Sequence, residues 1–347
     1  MEYISRPDDE LEIFRAIILY GQNTASYKFA FGQSLLELSK TGKNFVSLDE
    51  LAQPFSKHII EHLRSGKRQT VTSSSKFLYG CQLYIDGKIA EDELIDVTKK
   101  FGFKYVIDAF PRLKVNYENQ PTFYEKSVRG QKGIQLSDSL FKLSESEQVA
   151  NLKHEIEGRW NLVETSWTEQ NPNFLIEYDD VEKLFVGWSG TSDRGYLDSH
   201  LRTPVTRARK PLSGYQKGKC FFCYDNISIE SNQINTAQVD HFFPISLQSR
   251  LATNLHLNLN DIWNLVLTCK GCNLSKSNRT PALKYLYNLE RRNNYYIHSK
   301  HPLGHTIMTL TGQTTSARRS YMTSLHAIAK EASSVEWIPK QVKGIPF

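Results

Sequence analysis

The chain of 347 residues has no apolar run approaching the length of a membrane span, no signal-peptide pattern, no internal repeat and no low-complexity tract. The first two absences argue against a membrane-spanning helix and a secreted protein, so a soluble, cytoplasmic protein is expected. Cysteine is scarce, at five residues, and without a secretory signal a disulfide scaffold is not expected. Acidic residues are scarce in one region. Residues 201–347 hold 7 Asp+Glu against 19 Lys+Arg, net +12, whereas residues 1–200 hold 30 against 24, net −6. A basic region of this size is either a solvated surface or the footprint of a phosphate-rich partner bound with strong salt dependence. The acidic region is a poor primary platform for such a partner. The length allows two domains with cores of their own.

The cysteines that are present are not scattered. Cys220-Phe221-Phe222-Cys223 and Cys269-Lys270-Gly271-Cys272 form two Cys-x-x-Cys pairs, with residues 224–268 between them. Two such pairs can supply four thiolates to one tetrahedral zinc ion. Buried apolar thiols or a redox pair would leave the matched spacing unexplained. Four sulfurs close the coordination shell, so the expected Zn2+ is structural and has no open position for a substrate. Its binding free energy, on the order of 10 kcal/mol in small zinc modules, would support a segment with a modest core. The gap is longer than a compact zinc ribbon uses, so folded structure is expected between the knuckles. Cys81 has no partner and reads as a buried neutral thiol.

Between the knuckles, Gln238-Val239-Asp240-His241-Phe242-Phe243-Pro244 reads as a short strand stopped by proline. Asp240 and His241 are neighbours, so a regular strand points them to opposite faces. One can hold a metal while the other addresses a phosphate from a distorted or bulged position. Ser249 to Asp261 is rich in Asn and Leu without a clear period and reads as a loop. Asn264 follows Trp263, Leu265-Val266-Leu267 forms a second apolar run, and the second knuckle starts a helix carrying Asn273 and Lys276.

In that order, Asp240-His241, Asn264-Leu265 and Cys269-Lys270-Gly271-Cys272-Asn273, with Lys276 just beyond, resemble the HNH endonuclease motif in its zinc-stapled ββα-metal form. The resemblance covers about a sixth of the chain. Asn273 stands where many members have His; an amide oxygen is a weaker metal ligand than an imidazole, which bears on metal preference and rate. The resemblance implies hydrolysis of DNA phosphodiesters with His241 as the general base, a task suited to a group that titrates near neutrality. It implies that Asp240 and Asn273 hold one divalent cation, Mg2+ or Mn2+, through hard oxygen ligands. Asn264 is implied to tie the loop to the strand and so orient His241. Lys276 and Arg279, with Arg202, Arg207, Arg209 and Lys210 ahead of the first knuckle, are candidates for nucleic-acid binding. His256, His298, His301 and His305 lack such a setting and read as surface or core. The alternatives are the same fold cleaving RNA or nicking one strand, and a non-catalytic zinc-dependent nucleic-acid-binding module. The joint presence of Asp240, His241, Asn264 and Asn273 argues against the last.

Overall the chain reads as α+β: a mostly helical accessory domain over residues 1–190, an HNH domain over 191–300 and a helical extension over 301–347. Helices are expected from Asp8 or Asp9 to Leu19 and from Thr24 to Lys40, the latter with Tyr27, Phe31, Leu35 and Leu38 on one face. A capping box at Ser47-Leu48-Asp49-Glu50 starts another that reaches Leu63, with an interruption near Pro54. Phe77 to Ile85 has strand or helix character, Glu91 to Lys100 is helical and residues 103–141 include short strands. A further helix runs from Ser144–Glu147 through Trp160. Its His154, Glu155, Glu157 and Glu164 read as solvated faces and ion pairs rather than a second metal site. Residues 187–215, punctuated by Gly, Ser and Pro, mark a boundary. After the motif, Leu283 to Leu289 is helical, and Tyr295 and Tyr296 suit base stacking or core packing. In the last helix Tyr321, Leu325 and Ile328 share a face. An accessory domain on a nuclease suits target selection, as in restriction or anti-phage defence. It is also where a partner protein, a small effector or a second copy of the chain would bind.

Overall fold

The computed structural model describes the chain except for residues 1–3, 5, 21–24, 73, 114–117, 128–129, 170–173, 180, 190–201, 231–233, 249–256, 300 and 334. The fold is α+β, and it divides into two compact units, Glu2–Gln170 and Asn171–Phe347.

In the first unit, helices α1 (Glu10–Tyr20), α2 (Tyr27–Leu38), α3 (Leu48–Leu63) and α8 (Val149–Glu169) surround an aromatic core. Phe14 meets Phe123 at 5.1 Å, Phe31 meets Phe110 at 5.1 Å and Phe55 stacks on Phe77 at 5.4 Å. The capping box at α3 is formed: Glu50 N donates to Ser47 Oγ and Ser47 N donates to the Glu50 carboxylate. The interruption expected near Pro54 does not occur. α3 runs through the proline unbroken, with Leu51, Phe55 and Ile59 fully buried on one face. The apolar burial on both sides of Pro54 outweighs the one ladder bond it removes.

Phe77 to Ile85 resolves as helix α4 (Lys76–Ile85), followed by α5 (Glu91–Val97), a π turn over Thr98–Gly102 and α6 (Phe103–Ala109). The short strands are β1 (Phe45–Ser47), β2 (Tyr124–Ser127) and β3 (Gly133–Leu136), an antiparallel sheet in the order β1-β3-β2, with α7 (Asp138–Ser144) after it. The acidic residues of α8 form the expected ion pairs, two of them buried. Glu155 is buried against Arg15 at 2.7 Å, and Glu164 against His62 at 2.7 Å and Lys67 at 3.3 Å. Cys81 is fully buried, and burial pushes its thiol up to about 12.

In the second unit, strands β4 (Phe174–Asp179), β5 (Leu184–Ser189) and β6 (Arg202–Arg207) form an antiparallel meander. The boundary expected from residues 187–215 thus falls on sheet and on the undescribed residues 190–201, while the chain divides at Gln170/Asn171. This moves an acidic stretch into the second unit. Residues 2–170 hold 22 Lys+Arg against 24 Asp+Glu, net −2, and the remainder 21 against 13, net +8.

Helix α9 (Arg209–Gln216) leads into the first knuckle. An antiparallel pair, β7 (Gln238–His241) and β8 (Leu265–Thr268), is followed by α10 (Lys270–Lys276). Three further helices, α11 (Leu283–His298), α12 (Pro302–Thr311) and α13 (Thr315–Ser333), complete the unit. In α13 the inward face is Arg318, Met322, Leu325 and Ala329, and Ile328 turns out to solvent. Arg318 is drawn inward because its guanidinium meets the carbonyls of Gly312 and Gln313 and the Asn294 side chain. Residues after α13 return to the first knuckle: Lys343 N and Gly344 N both donate to Cys223 O. Gly344 lies so close to Tyr224 that a Cβ would fall 2.2 Å from its carbonyl oxygen.

Candidate active site

The two knuckles close on one point. The sulfurs of Cys220, Cys223, Cys269 and Cys272 all lie within 4.8 Å of one another, and Cys223 Sγ is 3.7 Å from Cys269 Sγ. A tetrahedron of sulfurs at about 2.3 Å from zinc has edges of about 3.8 Å, so the donor set fits the ion. Local backbone prepares the site, with Phe221 N bonded to Leu267 O and Cys220 N to Asp225 O. Gln216, fully buried at the end of α9, donates to Leu267 O and accepts from Leu267 N, each at 2.8 Å. It imitates a neighbouring strand along the outer edge of β8. Among the described residues this is the one cluster of three or more potential metal-ligating side chains.

The chemistry-bearing side chains sit on β7, on α10 and on the segment entering β8. Asp240 is opposite Val266 and His241 opposite Leu265 in the register. Alternation along β7 puts Gln238 and Asp240 on the face covered by α10. Asn273 Nδ2 donates to Gln238 Oε1 at 2.6 Å, which leaves the amide oxygen as the acceptor of Asn273. Asp240 Oδ1 lies 3.3 Å from Lys276 Nζ, while Oδ2 is buried with no hydrogen-bond partner among the described residues. Burial raises the Asp240 carboxyl to about 6 against the opposing pull of Lys276, and the same burial lowers the Lys276 ammonium. An unsatisfied buried carboxylate oxygen is costly, and it fits a hard cation as its missing partner.

His241 is on the other side of the strand. Its Nε2 meets Asn260 Oδ1 at 2.7 Å, and its ring faces Tyr178 of β4 at 6.4 Å between centroids. Asn264 is fully buried. Its Nδ2 donates to Phe243 O and Leu259 O, its Oδ1 accepts from Phe243 N and its carbonyl accepts from Phe242 N. It therefore fastens the residues after β7 to the segment that carries Asn260. Arg292 of α11, also fully buried, holds that segment from behind through the carbonyls of Leu265, Ile262 and Trp263. Asn260, Gln238, Gln216 and Arg292 escape the sequence reading. The Asn-rich loop offers no spacing that singles out Asn260, whose position depends on an Asx turn from Asn258.

The basic candidates separate. Lys276, expected to face a phosphate backbone, is instead 1% exposed and paired with Asp240. The helical spacing that brings Asn273 to β7 brings Lys276, one turn later, to the same face. Arg279 is exposed at the end of α10, bonded to Ser275 O. Arg209 and Lys210 are half-buried at the start of α9, Arg209 reaching Ala237 O just before β7. Arg202 and Arg207 lie on β6, and their side chains are outside the described residues. Tyr296 is core, packed on Tyr215 and His301. His301 caps α12, His298 and His305 are exposed, and His256 lies outside the described residues.

No curated protein and no solved structure matches the chain. The model of one family, described as HNH endonuclease, matches residues 220–282, from the first knuckle cysteine to the residue before α11. Within those limits lie the four clustered sulfurs, the β7–β8 pair and α10, and this segment of the chain is therefore of the HNH endonuclease type.

Proposed function

We propose that the chain is a metal-dependent endonuclease that hydrolyses DNA phosphodiesters. The observation that carries the reading is the pairing, on adjacent residues of one strand, of a buried Asp240 with an unsatisfied Oδ2 and a His241 held by an amide oxygen. Asn260 Oδ1 only accepts, so Nε2 of a neutral His241 carries the hydrogen and the lone pair falls on Nδ1. His241 takes the proton of the attacking water. Asp240 and Asn273 would hold one divalent cation, Mg2+ or Mn2+, which when bound stabilises charge at the scissile phosphate and the leaving oxygen. Asn264 and Arg292 keep the Asn260 segment in register, and the zinc ion fastens both ends of the site. Arg279, Arg209 and Lys210, in a unit of net charge +8, are the groups we assign to the phosphate backbone. The first unit would select the target, and restriction or anti-phage defence is the setting that suits such an accessory unit.

The test is cleavage of supercoiled plasmid with Mg2+ or Mn2+ by the zinc-loaded protein and by His241→Ala, with zinc content measured for both. Nicking or linearisation by the native protein alone supports the reading. Cleavage of RNA but not DNA replaces the substrate. DNA binding without cleavage by either protein, across both metals, makes the chain a binding module. The defence role fails if the protein cuts all DNA indiscriminately and its expression gives no protection against phage.

A further inference from the structure

The first unit carries a cavity that the nuclease reading does not use. It measures about 310 Å³ and lies among the start of α3, the π turn, α6 and the β2–β3 hairpin. Phe103 and Ile107 line it with apolar surface, and Lys99, Lys104, Lys126 and Lys132 converge on it from two stretches of the chain. Lysines scattered on a convex face are ordinary solvated charges. Four around one concave apolar surface, set against Asp49, Asp96 and Asp108 at its rim, leave a small net positive charge there in a unit of net charge −2.

The four are not equivalent. Lys99 is bridged to Asp49 at 2.7 Å and to Asp96 at 2.8 Å, and Lys126 to Asp108 at 3.0 Å. Those aspartates fix two ammonium groups at the rim. Lys104 and Lys132 enter no ion pair among the described residues, although Lys104 lies over the ring of its neighbour Tyr105 at 5.0 Å. Two lysines are thus held in place and two remain to receive an anion.

We infer that this cavity binds a small phosphorylated ligand with a flat apolar portion, which makes a mononucleotide the chemical class that fits. Lysine recognises a phosphate as a compact point charge with three donors. An aromatic base lies favourably on an apolar wall that includes a phenyl ring. The volume is at the lower end of small-molecule sites, about 300 Å³, which suits one nucleotide; a polynucleotide strand needs a groove that continues past the first residue. The inference is independent of the nuclease reading, because it concerns the first unit and is tested by binding alone.

The experiment is isothermal titration of the zinc-loaded full chain, without added Mg2+, with AMP, GMP, ATP, adenosine, inorganic phosphate and a short single-stranded DNA. Comparison is made with Lys104→Ala/Lys132→Ala and with Lys57→Ala, an exposed lysine outside the cavity. All three cationic side chains are exposed, and thermal melting verifies that each variant stays folded. The expected result is that at least one nucleotide binds about tenfold or more tighter than adenosine or phosphate. The double variant then loses about tenfold or more of that affinity, and Lys57→Ala loses none. The inference is overturned if no nucleotide binds at millimolar concentration, or if the double variant binds as the native protein does. It is also overturned if the double variant weakens only the single-stranded DNA, which would make these lysines part of a strand-binding surface.

Discussion

His62 and His241 are one residue type in two settings, and the contrast separates a structural cation from a candidate base. His62, at the end of α3, lies flat on Trp160 at 3.6 Å, with Nδ1 2.7 Å from Glu164 and Nε2 3.3 Å from Glu157. Burial works against its charge, but the two carboxylates outweigh it and raise the imidazole to about 9. A ring that keeps its proton at neutral pH cannot accept one from water. His241 instead presents Nε2 to the amide oxygen of Asn260, and its neighbour Asp240 is buried with Oδ2 lacking a hydrogen-bond partner among the described residues. The comparison teaches that the histidine's partners, more than its burial, set which chemistry it can perform.

The same contrast extends to what holds each unit together. The first unit has an aromatic core and buried ion pairs; in the second, Phe221, Phe222, Phe242 and Trp337 also pack together around the knuckles. The segment around His241 has a two-stranded pair, a two-turn helix and four cysteines. Removing the metal should therefore break the comparison most severely. Chelation, or Cys269→Ser, is expected to cost the second unit on the order of 10 kcal/mol. Limited proteolysis and circular dichroism of the full chain should show the second unit lost and the helices of the first retained. Equal loss in both units would show that the two share one source of stability.

Next in size is the proposed base. His241→Ala should reduce plasmid cleavage by about 10²- to 10⁴-fold at unchanged zinc content. His62→Ala should leave the cleavage rate per folded molecule within a few-fold and lower the melting temperature. The opposite pattern would reverse the assignment of the two rings.

The pH dependence sharpens the first half of the contrast. Because His62 is raised from 6.5 to about 9 on folding, its contribution is complete below pH 6.5 and is lost as pH rises through about 9. Chemical denaturation should show the first unit losing up to about 3 kcal/mol across that window. The groups facing the ring are Glu157, Glu164 and Trp160 of α8, with Lys67 on the far oxygen of Glu164. In His62→Gln the slope should flatten; a slope that persists assigns the effect elsewhere.

The smallest effect concerns orientation. Asn260→Ala should lower cleavage by roughly ten- to a hundredfold with zinc content and fold unchanged. It should also alter the pH–rate profile, since the partner that selects the His241 tautomer is gone. An unchanged profile would leave Asn260 as loop structure only.

The residues themselves determined what depends on short spacing. Two cysteines three apart are brought together by a single turn, Ser47 and Glu50 cap a helix from within it, and Asp240 and His241 alternate because strands do. Folded structure between the knuckles and a helix carrying Asn273 follow from the same local rules. Tertiary structure decided what depends on partners far along the chain. Pro54 stays inside α3 because its neighbours are buried by other elements. Lys276 turns inward because α10 packs on β7, and the acidic residues 174–189 join the second unit because β5 pairs with β4 and β6. Asn260 reaches His241 only because Asn264 and Arg292 shape the segment between them. Local spacing is written in adjacent residues, whereas packing balances burial, charge and hydrogen bonding among groups that meet only once the chain has folded.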